Sequence, residues 1–170
     1  QQAQHGSLEL KPDHGQAAVL RLLRVLVDEA RPQTGRPAER ALEEALVHLP
    51  RHARPGSLVF VFSDFRELTA AGEAAISRLA RHCDGVLALI YDPIEQHLPP
   101  GRHRYADGLS ECVIDADAAL IAEYEARFLA RYHAVRALAR RHGLRFVACS
   151  TAESPLSVLQ RGAQRPPRTA

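Results

Sequence analysis

The chain has 170 residues, 46% of them hydrophobic and 25% charged, with a net charge of +2. That size suits one domain with a core that needs no disulfide or metal staple. The near-neutral balance excludes a strong whole-chain field for nucleic acid, and no apolar run approaches the roughly 18 residues of a membrane helix. Lys11 is the only lysine, and the arginines that make up the other basic residues are spread along helix faces rather than clustered. This reads as codon bias more than as a built anion clamp.

Residues 7–10 look like the end of a strand, broken by Lys11-Pro12-Asp13. Residues 14–30 read as a helix in which Arg21, Arg24 and Asp28 form a narrow polar stripe. Almost everything else there is Ala, Val or Leu, which predicts cover on more than one side. After the loop 31–36, Pro37 suits a first helical position, and Ala38, Ala41, Leu42, Ala45, Leu46 and Leu49 make an apolar face. Residues 57–62 are a continuous apolar run, as in a strand covered on both faces. Thr69 can cap the next helix, whose buried face is Ala75, Ile76, Leu79, Ala80 and Cys83.

Gly85 leads into a second apolar strand, residues 86–91. Strand, helix and strand in about thirty residues make a βαβ unit with parallel strands. Residues 92–101 form a Pro-rich loop. Asp107-Gly108 then lies between Arg104–Ala106 and Cys112–Ile114, a hairpin signal. Residues 117–142 form the longest helix. Ile121, Tyr124, Phe128, Val135 and Ala139 face one way, and Glu123, Arg127, Arg131 and Arg140 another. Gly143 stops it. Residues 144–149 are a last buried strand, followed by a short helix near 154–161 and a disordered tail, 162–170.

The expected fold is therefore α/β: a three-layer arrangement of mainly parallel strands with helices on both faces, plus a short β-hairpin. Residues 1–161 form its one domain. Cys83, Cys112 and Cys149 are far apart and odd in number, which points to reduced, buried thiols in a cytoplasmic setting. The chain opens on Gln1, has no methionine and shows no signal peptide, so it reads as part of a longer protein.

Ligands of parallel α/β sheets bind at the carboxyl ends of the strands. Three strands run into polar residues there: Ser63-Asp64, Asp92-Pro93 and Ser150-Thr151. They should line one edge. Asp64 reads either as a metal or ligand carboxylate or as a residue that turns the chain out of the sheet, and spacing alone favours the turn. Asp92 favours a structural role for the same reason, and Ser150 and Thr151 read as helix caps. The nine histidines show no H-E-x-x-H, the cysteines no zinc pattern, and there is no G-x-S-x-G, Walker or G-x-G-x-x-G motif.

Leu58-Val59-Phe60-Val61-Phe62-Ser63-Asp64-Phe65 resembles the "strand then S-D-F" signature of the DUF58 proteins (domain of unknown function 58). Tyr91-Asp92-Pro93-Ile94-Glu95-Gln96-His97-Leu98-Pro99 resembles their "D-P-x-E-x-x-L-P" segment. The Gly101–Asp107 stretch, Cys149-Ser150-Thr151 and Pro155-Leu156 also fit, so the resemblance covers roughly 6–160.

It implies a von Willebrand factor A-like fold, which is Rossmann-like in its layers. Such domains often hold Mg²⁺ through D-x-S-x-S, a Thr in a later loop and an Asp after a later strand. Asp64 matches the last position and Thr34 lies in about the right loop. D-x-S-x-S, and with it the N-terminal central strand, stands outside this chain. Mg²⁺ is thus expected in the intact protein and not in this fragment.

The resemblance also implies a protein partner, a MoxR-type AAA+ ATPase, and a role as adaptor or assembly factor. The leading expectation is a non-enzymatic interaction module whose binding edge holds Ser63, Asp64 and Asp92. The rivals are a hydrolase using the same edge and a nucleic-acid binder acting through the arginines of helix 117–142. No nucleophile with a positioned base is evident for the first, and the interleaved Glu123 and Glu125 argue against the second.

Overall fold

A computed structural model of the chain describes residue 10 and residues 13–29, 41–49, 53–66, 68–106 and 111–163. The elements run α1 (Gln16–Glu29), α2 (Ala41–His48), β1 (Leu58–Ser63), α3 (Ala70–Ala80), β2 (Asp84–Tyr91) and α4 (Pro93–Gln96). They continue with β3 (Gly101–Ala106), β4 (Glu111–Ala116), α5 (Ala118–Arg141), β5 (Arg145–Ser150) and α6 (Pro155–Ala163). Residues 7–9 of the expected strand and the Asp107-Gly108 turn lie outside the described residues, as does Thr34, and Leu10, which is described, is not in a strand.

Two strand sets form. β1, β2 and β5 make a parallel sheet in the order β1-β2-β5, and β3 pairs with β4 as a separate antiparallel hairpin. β2 is the central strand, and its apolar side chains are buried on both faces. Val86, Leu87, Ala88 and Leu89 are all buried.

Alternation along the strands divides the core in two. Val61, Leu87 and Leu89 face Leu46 of α2, Ala75 and Ile76 of α3, and Val135, Leu138 and Ala139 of α5. On the opposite face Val86, Ala88, Val147 and Cys149 pack with Val158 of α6. The sheet is thus the middle of three layers, with helices on both faces.

Local chemistry fixes the helix ends. Thr69 caps α3, its hydroxyl accepting from the Gly72 N–H (3.2 Å) and donating to Glu43. Asp117 caps α5 by accepting from the Leu120 N–H (2.8 Å), and Gly143, at φ +67°, follows its end. Gly85 is needed for space: a Cβ there would stand 2.9 Å from Cδ2 of Leu144.

Several expectations are corrected. β1 is the outer strand of the described sheet and is not covered on both faces, since Leu58 and Phe62 are 49% and 54% exposed. Their side chains share the α6 face of the sheet, where α6 contacts β5. In α1, Val19, Leu20, Leu22, Leu23, Leu26 and Val27 are exposed. Among the described residues it is thus not covered on more than one side, in keeping with cover lost with the central strand that the resemblance puts outside the chain. Apolar content marks a face that can be buried but does not supply the surface that buries it. Arg131, placed with the solvent-facing arginines, has a side chain only 17% exposed, for reasons given below.

The 92–101 loop contains the one-turn helix α4, and both hairpin strands are longer than their apolar runs. Cys83 and Cys149 are buried free thiols, but Cys112 is exposed on β4. α6 extends to Ala163, so Gly162 and Ala163 do not belong to a disordered tail, and residues 164–170 are outside the described set. No described helix is long and apolar enough to cross a membrane.

The core assignment yields a paired stability test. Ile76→Ala should cost about 2–5 kcal/mol, because Ile76 is fully buried between α3 and the sheet. Leu129→Ala, on the exposed side of α5, should stay within about 0.5 kcal/mol of wild type. Urea unfolding of both variants measures the difference.

Candidate functional site

Parallel pairing carries the carboxyl ends of all three strands to one rim. Ser63 lies opposite Leu89, and Tyr91 opposite Ser150. The three polar pairs predicted to share an edge therefore do so, each in the loop that leaves its strand.

The S-D-F loop is built by its own side chains. The Phe65 N–H donates to Ser63 Oγ (3.0 Å) and the Arg66 N–H to Asp64 Oδ1 (3.2 Å). Each polar residue thus turns the backbone two residues on. The turn sets Phe65 at φ +51°, in the left-handed region. That conformation costs a non-glycine residue roughly 1–2 kcal/mol. The Phe65 ring is buried beside Leu46, Val61 and Ile76, and such burial contributes about 1.5–3 kcal/mol, enough to offset the strain.

Asp92 has several partners too. It caps α4, accepting from the Ile94 N–H (3.0 Å), and its other oxygen accepts from the Thr151 hydroxyl (2.9 Å). The Thr151 N–H donates to the Tyr91 carbonyl (2.9 Å), so the ends of β2 and β5 are joined twice. Ser150 accepts from the Ala152 N–H (3.2 Å). Ser150 and Thr151 therefore cap no helix, contrary to expectation; α6 begins only at Pro155.

The residue that sequence reasoning passed over is Glu95. Its Oε2 accepts from Arg66 (2.6 Å) and from Arg131 of α5 (2.8 Å), and its Oε1 from the Asp92 N–H (3.2 Å). Arg66 also lies 3.4 Å from Asp64. A continuous chain of contacts thus runs Asp64–Arg66–Glu95–Asp92–Thr151, from the loop after β1 to the loop after β5. The capping-box spacing of Asp92 and Glu95 was visible in the sequence; the two arginine partners were not. Burial works to raise the Glu95 pKa. The hydrogen bonds from Arg66 and Arg131, aided by the one from Asp92, outweigh it and hold the carboxyl below its ordinary value.

The rim does not fit a resident metal by itself. Among the described residues no three His, Cys, Asp or Glu side chains come together as a metal site. Asp64 offers one carboxylate already engaged with Arg66, whereas Mg²⁺ takes an octahedral set of oxygens. His48 and His52 stand four residues apart, but α2 ends at His48 and His52 is outside the described residues. The rim hydroxyls bond to backbone N–H groups or to Asp92, and none of these described contacts involves a histidine.

Residues 2–147 match the family described as "Protein of unknown function DUF58". The chain belongs to the DUF58 family. The match ends short of Cys149-Ser150-Thr151 and Pro155-Leu156, so those segments of the expected 6–160 resemblance stand outside it. It does include both signature segments, so in this DUF58 domain the Asp and Glu of D-P-x-E-x-x-L-P bind the rim together. No curated protein and no solved structure matches the chain.

The hub has a pH signature. The folded pKa of Glu95 lies below the ordinary 4.5, so its stabilisation is complete above that value and is lost as pH falls through the folded one. Glu95→Gln should lower stability near neutrality by about 1.5–3 kcal/mol, the range for hydrogen bonds to charged groups. Its gap from wild type should close in acid. Chemical denaturation of both proteins from pH 7 to pH 3 measures this.

Proposed function

We propose that this DUF58 domain is a non-enzymatic protein-interaction module, an adaptor or assembly factor, that docks through the rim containing Ser63, Asp64 and Asp92. The observation that carries this reading is the contact chain through Glu95. It fixes three loops relative to one another while leaving Asp64 and Asp92 exposed. A preorganised exposed rim is what recognition needs, because little ordering entropy remains to be lost on binding. The rim hydroxyls, by contrast, have structural partners: Ser63 and Ser150 accept from turn N–H groups, and Thr151 donates to the Asp92 carboxylate that caps α4. This lends a hydrolytic reading no support. In the arginine-rich α5, Arg127 pairs with Glu123 one turn away, which weakens any field for nucleic acid.

The partner we favour is a MoxR-type AAA+ ATPase in the cytoplasm, on the family resemblance. Mg²⁺ belongs to this reading only in the intact protein. There Asp64 would be one ligand and further oxygens would come from beyond the described residues, Thr34 being one that the resemblance suggests.

In the intact protein, Asp64→Ala should abolish Mg²⁺-dependent binding of the ATPase. Its unfolding free energy should stay within about 1 kcal/mol of wild type, as expected for a half-exposed ion pair. Calorimetric titration showing unchanged metal and partner affinity in that variant would rule out the role of Asp64.

A further inference from the structure

Beside the rim, between the loop after β1, α4 and the middle of α5, lies an open cavity of about 200 Å³. Arg66, Glu95, Tyr124, Arg127, Phe128 and Arg131 line it. Three guanidinium groups thus face one carboxylate. Glu95 already accepts from three donors, Arg66, Arg131 and the Asp92 N–H.

The wall is packed on one side and exposed on the other. Arg131 lies over the Phe128 ring, 5.5 Å from its centroid, and its Nε is buried with no hydrogen-bond partner among the described residues. Glu95 pins Arg66 and Arg131 together. Arg127 is 76% exposed and touches Glu123 of its own helix, a contact it can exchange at little cost.

We propose that this pocket receives an acidic side chain of a protein partner, its carboxylate meeting the arginines and its methylene stem lying on Phe128 and Tyr124. The inference rests on the interaction-module reading of the rim and names the chemistry of the partner's anchor. Guanidinium forks match a planar carboxylate with paired N–H donors. The cavity is smaller than the roughly 300–1,000 Å³ that enclose drug-sized ligands, so it suits one side chain rather than a metabolite. The rings of Phe128 and Tyr124 favour a side chain with a methylene stem over a bare phosphate.

The test is a two-dimensional NMR titration of the chain at constant ionic strength with four probes. These are a Gly-Gly-Glu-Gly-Gly peptide blocked at both ends, its Gln counterpart, a pentaglycine with a free carboxyl end, and inorganic phosphate. The Glu peptide should shift the amide signals of Arg127, Phe128 and Arg131 saturably and more tightly than the other three. Arg127→Gln should weaken it by about tenfold, the loss of one charge-assisted hydrogen bond.

The assignment is overturned if the Glu and Gln peptides behave alike, if phosphate or the free chain end binds more tightly, or if Arg127→Gln binds as wild type does. The titration involves neither the ATPase nor Mg²⁺. A negative result therefore removes the pocket and leaves the rim reading standing. Failure of the wild-type intact protein to bind any ATPase removes the rim reading, with carboxylate binding in the pocket still measurable.

Discussion

The carboxylate of Glu95 holds together the rim at the carboxyl ends of the parallel strands. Parallel pairing of β1, β2 and β5 delivers three chain ends to one rim, but a rim made of separate loops would be free to rearrange. Glu95 removes that freedom by accepting from Arg66 in the first loop, from Arg131 on α5 and from the backbone at Asp92. Asp92 passes the constraint on to Thr151. A partly buried acid in such a position would be costly alone; with two arginine partners and a backbone donor it is ionised and ordered.

The S-D-F loop meets the same need by different means. Ser63 and Asp64 spend their side chains on local N–H groups, and the turn they form drives Phe65 into a left-handed conformation and its ring into the core. Residues that look chemical in the sequence are here first of all residues that shape a backbone. Asp64 still keeps an exposed carboxylate, which the proposed reading uses for recognition.

Charge is distributed accordingly. The chain is nearly neutral and its arginines are dispersed, yet the fold gathers Arg66, Arg127 and Arg131 around a single glutamate. The two aspartates of the rim and this arginine-lined cavity stand next to each other through Arg66, which contacts both Asp64 and Glu95. In the proposed docking role, adjoining acidic and basic parts favour a partner of complementary pattern and disfavour uniformly charged ones.

The sequence by itself determined the α/β class, the βαβ unit, the caps at Thr69 and the stop at Gly143. It also placed the polar residues of 63–64, 92 and 150–151 on one edge. These follow from periodicity and from side chains acting on backbone within a few residues. It could not show that Arg131 turns inward. The helical face it shares with Arg127 reads as solvent-exposed, and its partner Glu95 lies 36 residues away. Nor could it show which side chains of β1 stay exposed among the described residues, since hydrophobicity says what can be buried and not what is at hand to bury it. Only the tertiary structure decided those points, because ion pairs and cover between distant segments depend on how elements meet in space, and no local pattern records that meeting.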